Sequence, residues 1–223
     1  MELPQTLHAQ LYLLAYDRER HRFRLDRDNY SNKHWLFDFA LRAAMLTDLY
    51  LTGYVEDQEG KAYQARAARH DDPVLHQVLK DVAGRDWAQL VAHGGGRGRE
   101  MVRDQLEASG WVSGQQRRML GILAPARVRL YDEDMVSGLA DRVSEALRNA
   151  IDDRPADPRP LAVGLIAVQA QMPVVLNFLE NSWPRDALRE MTFAAIEPIL
   201  GLHQAIQDRF SDVRSSLGCG GGI

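Results

Sequence analysis

Apolar residues recur along most of the chain at spacings of three and four, the pattern of helices with one buried face. The first such segment is LHAQLYLLAYD, in which Leu7, Leu11 and Leu14 have helical spacing. Another is DDPVLHQVLKDVAG, with Asp72 as its predicted N-cap and Pro73 at the first helical position. Further helices are predicted for DWAQLVAH, REMVRDQLEASG and DMVSGLADRVSEALRNAI. The pattern therefore predicts a mainly helical protein.

The stretch WLFDFALRAAMLTDLYLTGYV differs from the other segments, because almost all of its positions are apolar. From Trp35 to Thr52 it contains neither Gly nor Pro, which predicts a long helix buried on most sides. Trp35, Asp38 and Arg42 have the spacing of side chains that share one helix face. Two interpretations stay open. Asp38 and Arg42 form an ion pair with Trp35 as packing, or Trp35 forms an aromatic wall beside an anion-binding guanidinium.

Two segments have the features of β-hairpins. YVEDQEGKAYQAR is predicted to turn at Glu59 and Gly60. In MLGILAPARVRLYD, two runs of strand-forming residues flank 124–126, and Arg127 and Arg129 give the second run a basic edge. We therefore predict one or two hairpins beside the helices.

The Pro-rich segment DDRPADPRP interrupts the helical pattern and is the one candidate domain boundary. Helices are predicted beyond it to about Ser216, in LAVGLIAVQAQ, PVVLNFLEN, PRDALREMTFAAIEPIL and GLHQAIQDRFSDVRSS. Because apolar helices lie on both sides of this segment, we expect one shared core. The prediction is a single mainly α domain over 1–217, with a central buried helix, and a flexible Gly-rich tail over 218–223.

Composition places any charged ligand at a local patch. The 223 residues carry a net charge of -4, so the whole chain has no positive field. Only three of the 27 Lys and Arg residues are lysines. Arginine suits bidentate phosphate recognition, although codon usage in a GC-rich bacterial genome would give the same bias.

Cys219 is the one cysteine, which argues against disulfide scaffolds and Cys-rich zinc sites. We find no signal peptide and no charge-free run long enough to span a membrane.

No arrangement of residues indicates catalysis. The seven histidines form neither HExxH nor a pair four residues apart, and GxSxG is absent. We therefore predict no enzymatic activity, no metal and no cofactor.

The loop GGGRG at 94–98 lacks the ending of a nucleotide-binding P-loop. It still precedes a helix whose N-terminal N–H groups, with Arg97 and Arg99, could bind an anion. The alternative is a flexible loop with solvated arginines.

An ordered series of segments resembles the Golgi phosphoprotein 3 family. The series is W…LRAAMLTDLYLTGYV, DDPVL..VLK, W..L…R.RE.V.D.LEASGWV and RVRLYD, and it extends from about Leu11 through Ala170 and less closely to Ile206. The resemblance implies a helical single domain. It also implies phosphatidylinositol 4-phosphate binding, attachment to cytoplasmic tails of glycosyltransferases, and a hairpin that inserts apolar side chains into the bilayer.

The family's lipid-binding residues are carried over one by one. Its helix arginine falls on Arg42, and its tryptophan on Trp35, which is two residues closer to the arginine here. The second loop arginine falls on Arg99, whereas the first falls on Gly96, and the neighbouring Arg97 is its candidate replacement. The implied membrane-contacting hairpin residues are Leu120, Ile122, Leu123, Arg127 and Arg129.

The resemblance leads to a predicted function. We expect a non-enzymatic, cytoplasmic protein associated peripherally with the inner face of a membrane, where it binds an anionic lipid headgroup. Tails of membrane enzymes are further candidate partners, and the sequence leaves a homo-oligomer open. The alternative is a winged-helix-like nucleic-acid-binding protein, because three helices between 73 and 109 precede a basic hairpin. Acids at 100, 104 and 107 disfavour contact of the third helix with phosphates.

Overall fold

The computed structural model describes residues 2–17, 22–23, 34–66, 69–93, 97–115, 118–119, 122–123, 127–172 and 196–218. The helices in these ranges are α1 (Leu7–Leu14), α2 (His34–Leu51), α3 (Pro73–Leu79), α4 (Trp87–Ala92), α5 (Arg97–Ala108), α6 (Glu133–Ile151), α7 (Pro158–Gln169) and α8 (Glu197–Gly218). The short strands are β1 (Tyr16–Asp17), β2 (Arg22–Phe23), β3 (Val55–Gln58), β4 (Lys61–Gln64), β5 (Arg85–Asp86), β6 (Val112–Gln115), β7 (Arg118–Met119), β8 (Ile122–Leu123) and β9 (Arg127–Leu130). The protein is mainly α with small antiparallel sheets, as predicted.

Helix α2 is the centre of the core. It contacts α1, α3, α4, α5, α7 and α8. Between residues 35 and 49, every side chain is buried except those of Trp35, Asp38 and Arg42, which are partly exposed. The apolar run thus forms the central buried helix that its composition predicts, and the predicted shared face of these three residues is confirmed.

Local sequence determines the start of α3 and the first hairpin. The carboxylate of Asp72 accepts hydrogen bonds from the backbone N–H groups of Val74 and Leu75, at 2.8 and 2.9 Å, and so caps α3 as predicted. Strands β3 and β4 pair on either side of Glu59 and Gly60, whose φ angles are 53° and 81°. Two successive left-handed residues match the twist of a tight hairpin, so the predicted turn is confirmed.

The predicted helix boundary between residues 200 and 201 is wrong. We expected separate helical segments on either side of residues 200 and 201, but α8 runs without interruption through Gly201. A Cβ atom on Gly201 would lie 2.7 Å from the Cβ of Trp87 and 2.9 Å from its carbonyl carbon. The glycine therefore permits close packing of α8 against α4 and does not end a helix.

The second hairpin is paired differently from the prediction. Strand β9 pairs with β6, from Val112 opposite Leu130 to Gln115 opposite Arg127, while β7 pairs with β8. The two pairs are nested, so the predicted pairing of the two runs that flank 124–126 is wrong, while the predicted hairpin is present. Pro125 has no N–H group to donate to a strand ladder, and a proline between two strand-forming runs favours a local hairpin. The sequence therefore does not indicate that β9 pairs with the more distant β6.

Two of the predicted helical segments stay outside the described residues. PVVLNFLEN lies entirely within 173–195, as does most of PRDALREMTFAAIEPIL. Residues 219–223 of the predicted tail also lie outside the described residues. The division into a domain over 1–217 and a tail stays a prediction. Among the helices that the structure describes, none combines the length and apolar character needed to cross a bilayer.

Candidate functional site

A cavity of about 480 Å³ lies between α2, α3 and the first turns of α5. Its apolar lining consists of Met45, Val74, Val78 and Met101. The polar lining comprises Asp38, Arg42, Gln77, Asp81, His93, Arg97 and Gly98. A cavity lined by apolar residues together with a few charged side chains is typical of a site for a small molecule or a headgroup.

Arg42 is held on two sides inside the cavity. Its Nε donates to the carbonyl oxygen of Leu90 on α4 at 3.1 Å, and its Nη2 donates to Asp81 at 2.7 Å. Only 12% of the Arg42 side chain is exposed, so these contacts compensate for its removal from water. The Asp38–Arg42 ion pair, one of the two interpretations left open by the sequence, is therefore wrong, because each residue pairs with a partner from a different part of the chain.

Asp38 pairs instead with Arg99. Its Oδ1 accepts from both Nε and Nη2 of Arg99, at 3.1 and 2.8 Å. The guanidinium carbon of Arg99 also lies 5.9 Å from the centroid of the Phe37 ring, within the range of a cation–π contact. This pair ties the first turn of α5 to α2 and forms one wall beside the cavity.

Arg97 stands in a different environment. It is exposed, it is the first residue of α5, and it makes no hydrogen bond or ion pair with any residue that the structure describes. The N-terminal end of a helix carries unpaired N–H groups and a partial positive charge. Arg97 is thus a cation at the cavity that no residue in the described part of the chain neutralises.

The cavity brings together two of the four headgroup residues predicted from sequence. Arg42 and Arg97 line it, whereas Trp35 and Arg99 do not, although Arg99 reaches it through Asp38. The Trp35 ring packs against that of Phe39 in an edge-to-face arrangement, with centroids 5.2 Å apart. Trp35 thus lies on the predicted helix face but outside the cavity wall. Gly96, at which the family's first loop arginine falls, lies outside the described residues.

Sequence reasoning did not single out Asp81 and His93, which also line the cavity. Asp81 follows α3 and His93 follows α4, and neither belongs to a recognisable motif. Their contribution depends on how the helices pack, so no local signal in the sequence could have found them.

The hairpin residues are described in part. Leu120 lies outside the described residues, and so do the side chains of Ile122, Leu123 and Arg127, whose backbones form strands. The side chain of Arg129 is exposed. The hairpin itself is present, and its proposed contact with a bilayer stays a prediction.

A family model described as Golgi phosphoprotein 3 (GPP34) matches residues 7–206 of the chain. The protein belongs to the Golgi phosphoprotein 3 family. The match includes every cavity-lining residue, so the cavity is part of the domain that this Golgi phosphoprotein 3-like protein shares with its family. No individually curated protein matches the chain.

This Golgi phosphoprotein 3-like protein also contains a buried polar cluster away from the cavity lining. Asp48 on α2 is only 2% exposed and accepts from the backbone N–H of Leu7 and from Arg159, each at 2.6 Å. His8 is fully buried, and its Nε2 lies 3.0 Å from Oε1 of Gln105. Burial lowers the pKa of His8 below its ordinary value of 6.5. These contacts join α1, α2, α5 and α7, so the cluster has a structural role.

Proposed function

We propose that this Golgi phosphoprotein 3 family member is a non-enzymatic peripheral membrane protein that binds an anionic lipid headgroup in the cavity beside α5. The observation that carries the proposal is Arg97, an exposed cation at the N-terminal end of α5, on the wall of a cavity of about 480 Å³. None of the residues that the structure describes forms an ion pair with it. The ligand class that we propose, from the resemblance to this family, is a phosphoinositide such as phosphatidylinositol 4-phosphate.

The cavity offers two kinds of anion contact. Arg97 can donate to a phosphate directly, and the unpaired N–H groups of the first turn of α5 can add further donors. Arg42 is already engaged with Asp81 and Leu90, so it supports the cavity wall and contributes its positive charge. The apolar side chains of Met45 and Met101 can pack against an inositol ring.

Membrane binding then requires a second contact, because one weak headgroup interaction rarely gives stable anchoring. The nested hairpin is the candidate, since its connection contains Leu120 and its strand β8 contains Ile122 and Leu123. Attachment to the cytoplasmic tails of membrane enzymes and location at the cytoplasmic face of a membrane are part of the same proposal.

The nucleic-acid alternative gains no support from the helix that would lie against phosphates. Glu100, Asp104 and Glu107 on α5 are all exposed, so this helix presents carboxylates to solvent. Carboxylates repel a phosphate backbone. We therefore retain the lipid-binding proposal alone.

The test is sedimentation with phosphatidylcholine vesicles that contain or lack phosphatidylinositol 4-phosphate. Wild-type protein should sediment with the phosphoinositide vesicles, and Arg97→Gln should weaken binding roughly tenfold, because a hydrogen bond to a charged group is lost. The matched control is Arg142→Gln, which removes an exposed arginine of α6 outside the cavity. Equal binding of wild type and Arg97→Gln would contradict the proposal.

A further inference from the structure

Asp38 occupies an unusual position in the proposed headgroup site. It lines the cavity, and its Oδ1 atom also accepts both hydrogen bonds from Arg99. A carboxylate is chemically similar to a phosphate in this respect, since both offer oxygen acceptors to the edge of a guanidinium. The Nε–Nη2 edge of Arg99, at which a phosphate could bind, is therefore already occupied by a side chain of the protein.

The charges around the cavity are almost balanced. Arg42, Arg97 and Arg99 are positive, while Asp38 and Asp81 are negative, and the two ion pairs neutralise Arg42 and Arg99. Among the described residues at the cavity, Arg97 supplies the positive charge that remains. A phosphate monoester carries nearly two negative charges at neutral pH, so the cavity as it stands is undercharged for such a group.

We propose that Asp38 is an internal competitor that limits the affinity of the cavity for phosphate. The inference rests on the proposed headgroup function. The Asp38 side chain is only 14% exposed, so water screens its charge weakly. This carboxylate cancels the positive charge of Arg99, so a phosphate that enters the cavity gains little attraction from that arginine. Asp38 thereby sets a low affinity, which keeps membrane attachment reversible.

The variant Asp38→Asn tests this inference, because it removes the charge and preserves the shape. The amide oxygen of the asparagine can still accept from Arg99, so the packing of α2 and α5 is retained. Binding to phosphatidylinositol 4-phosphate vesicles should become about tenfold tighter. Glu145→Gln is the matched control, since it removes one exposed negative charge on α6 outside the cavity. Thermal unfolding of each variant verifies that the fold is intact.

A double variant separates a local effect from a general gain in positive charge. Asp38→Asn combined with Arg99→Gln has the same net charge as wild type, and its affinity should return to the wild-type level or below. The inference is overturned if Asp38→Asn binds no tighter than Glu145→Gln, or if the double variant keeps the full gain.

The two proposals fail in different ways. If Arg97→Gln binds as well as wild type, the headgroup function fails, and the role of Asp38 fails with it. If Arg97→Gln loses affinity while Asp38→Asn gains none, the headgroup function stands and only the competitor role is rejected.

Discussion

The Nη2 atom of Arg159 on α7 lies 2.6 Å from Oδ1 of Asp48 on α2. The other oxygen of this carboxylate accepts from the backbone N–H of Leu7 at 2.6 Å, so one side chain joins three helices. The Asp48 side chain is only 3% exposed, so its loss would leave the buried N–H of Leu7 without an acceptor. Arg159 is less affected, because its side chain is 35% exposed and its Nη2 also donates to the carbonyl oxygen of Gln5.

We expect Asp48→Ala to lower the free energy of unfolding by about 2 kcal/mol, because the buried N–H of Leu7 loses its acceptor. Denaturant unfolding monitored by circular dichroism measures the change. Asp141→Ala, at an exposed position of α6, is the control and should change stability by no more than about 0.5 kcal/mol. Similar small effects of both variants would show that the Asp48 contacts contribute little.

His8 should make stability depend on pH. Burial lowers the pKa of its imidazole below the ordinary 6.5, against the opposing effects of Asp72, Gln105 and Asp48. Above pH 6.5 the imidazole is neutral in both the folded and the unfolded chain. Below it, the unfolded chain binds a proton that the folded chain does not, so stability falls as the pH drops from 6.5 toward the lower folded-state pKa.

The comparison of wild type with His8→Gln isolates this contribution. The free energy of unfolding of wild type should decline more steeply between pH 7 and pH 5, while the difference between the two proteins should stay constant above pH 7. Parallel curves over the whole range would contradict the assignment to His8.

Gly201 and Gly138 form a matched pair of helical glycines. A Cβ on Gly201 would meet the Cβ and the backbone of Trp87, whereas a Cβ on Gly138 would have nothing within 4 Å. We expect Gly201→Ala to destabilise the protein by about 1–3 kcal/mol through overpacking. Gly138→Ala should stabilise it by about 0.5–1 kcal/mol, because alanine favours the helix. Melting temperatures that shift in the same direction for both variants would argue against close packing of α8 on α4.

If the hairpin contacts the bilayer, a substitution in it should weaken binding to vesicles and leave binding to a soluble headgroup unchanged. Leu120→Glu should reduce binding to phosphoinositide vesicles several-fold, since it places a charge at the connection between β7 and β8. Binding of a soluble inositol phosphate, measured by calorimetry, should be unchanged. Tyr131→Glu is the control, because it adds the same charge at a residue that is 65% exposed beside the base of the hairpin. If Leu120→Glu lost both kinds of binding, the substitution would be disturbing the fold, and the proposed bilayer contact would not be supported.

Sequence patterns predicted the features that depend on neighbouring residues. The cap formed by Asp72 and the turn at Glu59 and Gly60 are local preferences of the backbone, and both are confirmed. The burial of α2 followed from its composition alone. Family resemblance was also correct, because the matched residues extend over most of the chain.

Features that depend on tertiary packing were missed. Arg42 has an acid four residues away in Asp38, yet it pairs with Asp81, which the packing of α3 against α2 brings within reach. The pairing of β9 with β6 is likewise a long-range choice that strand propensity does not encode. The predicted break at Gly201 failed because a glycine can serve close helix contact as well as helix termination.

Gly201 also has a consequence for the cavity. Its contact with Trp87 seats α8 on α4, and Leu90, one turn along α4, presents the carbonyl that orients Arg42. Two contacts therefore connect the last helix to a guanidinium in the cavity. A substitution in α8 could therefore shift this guanidinium and change the charge geometry of the cavity while every residue lining the cavity stays the same.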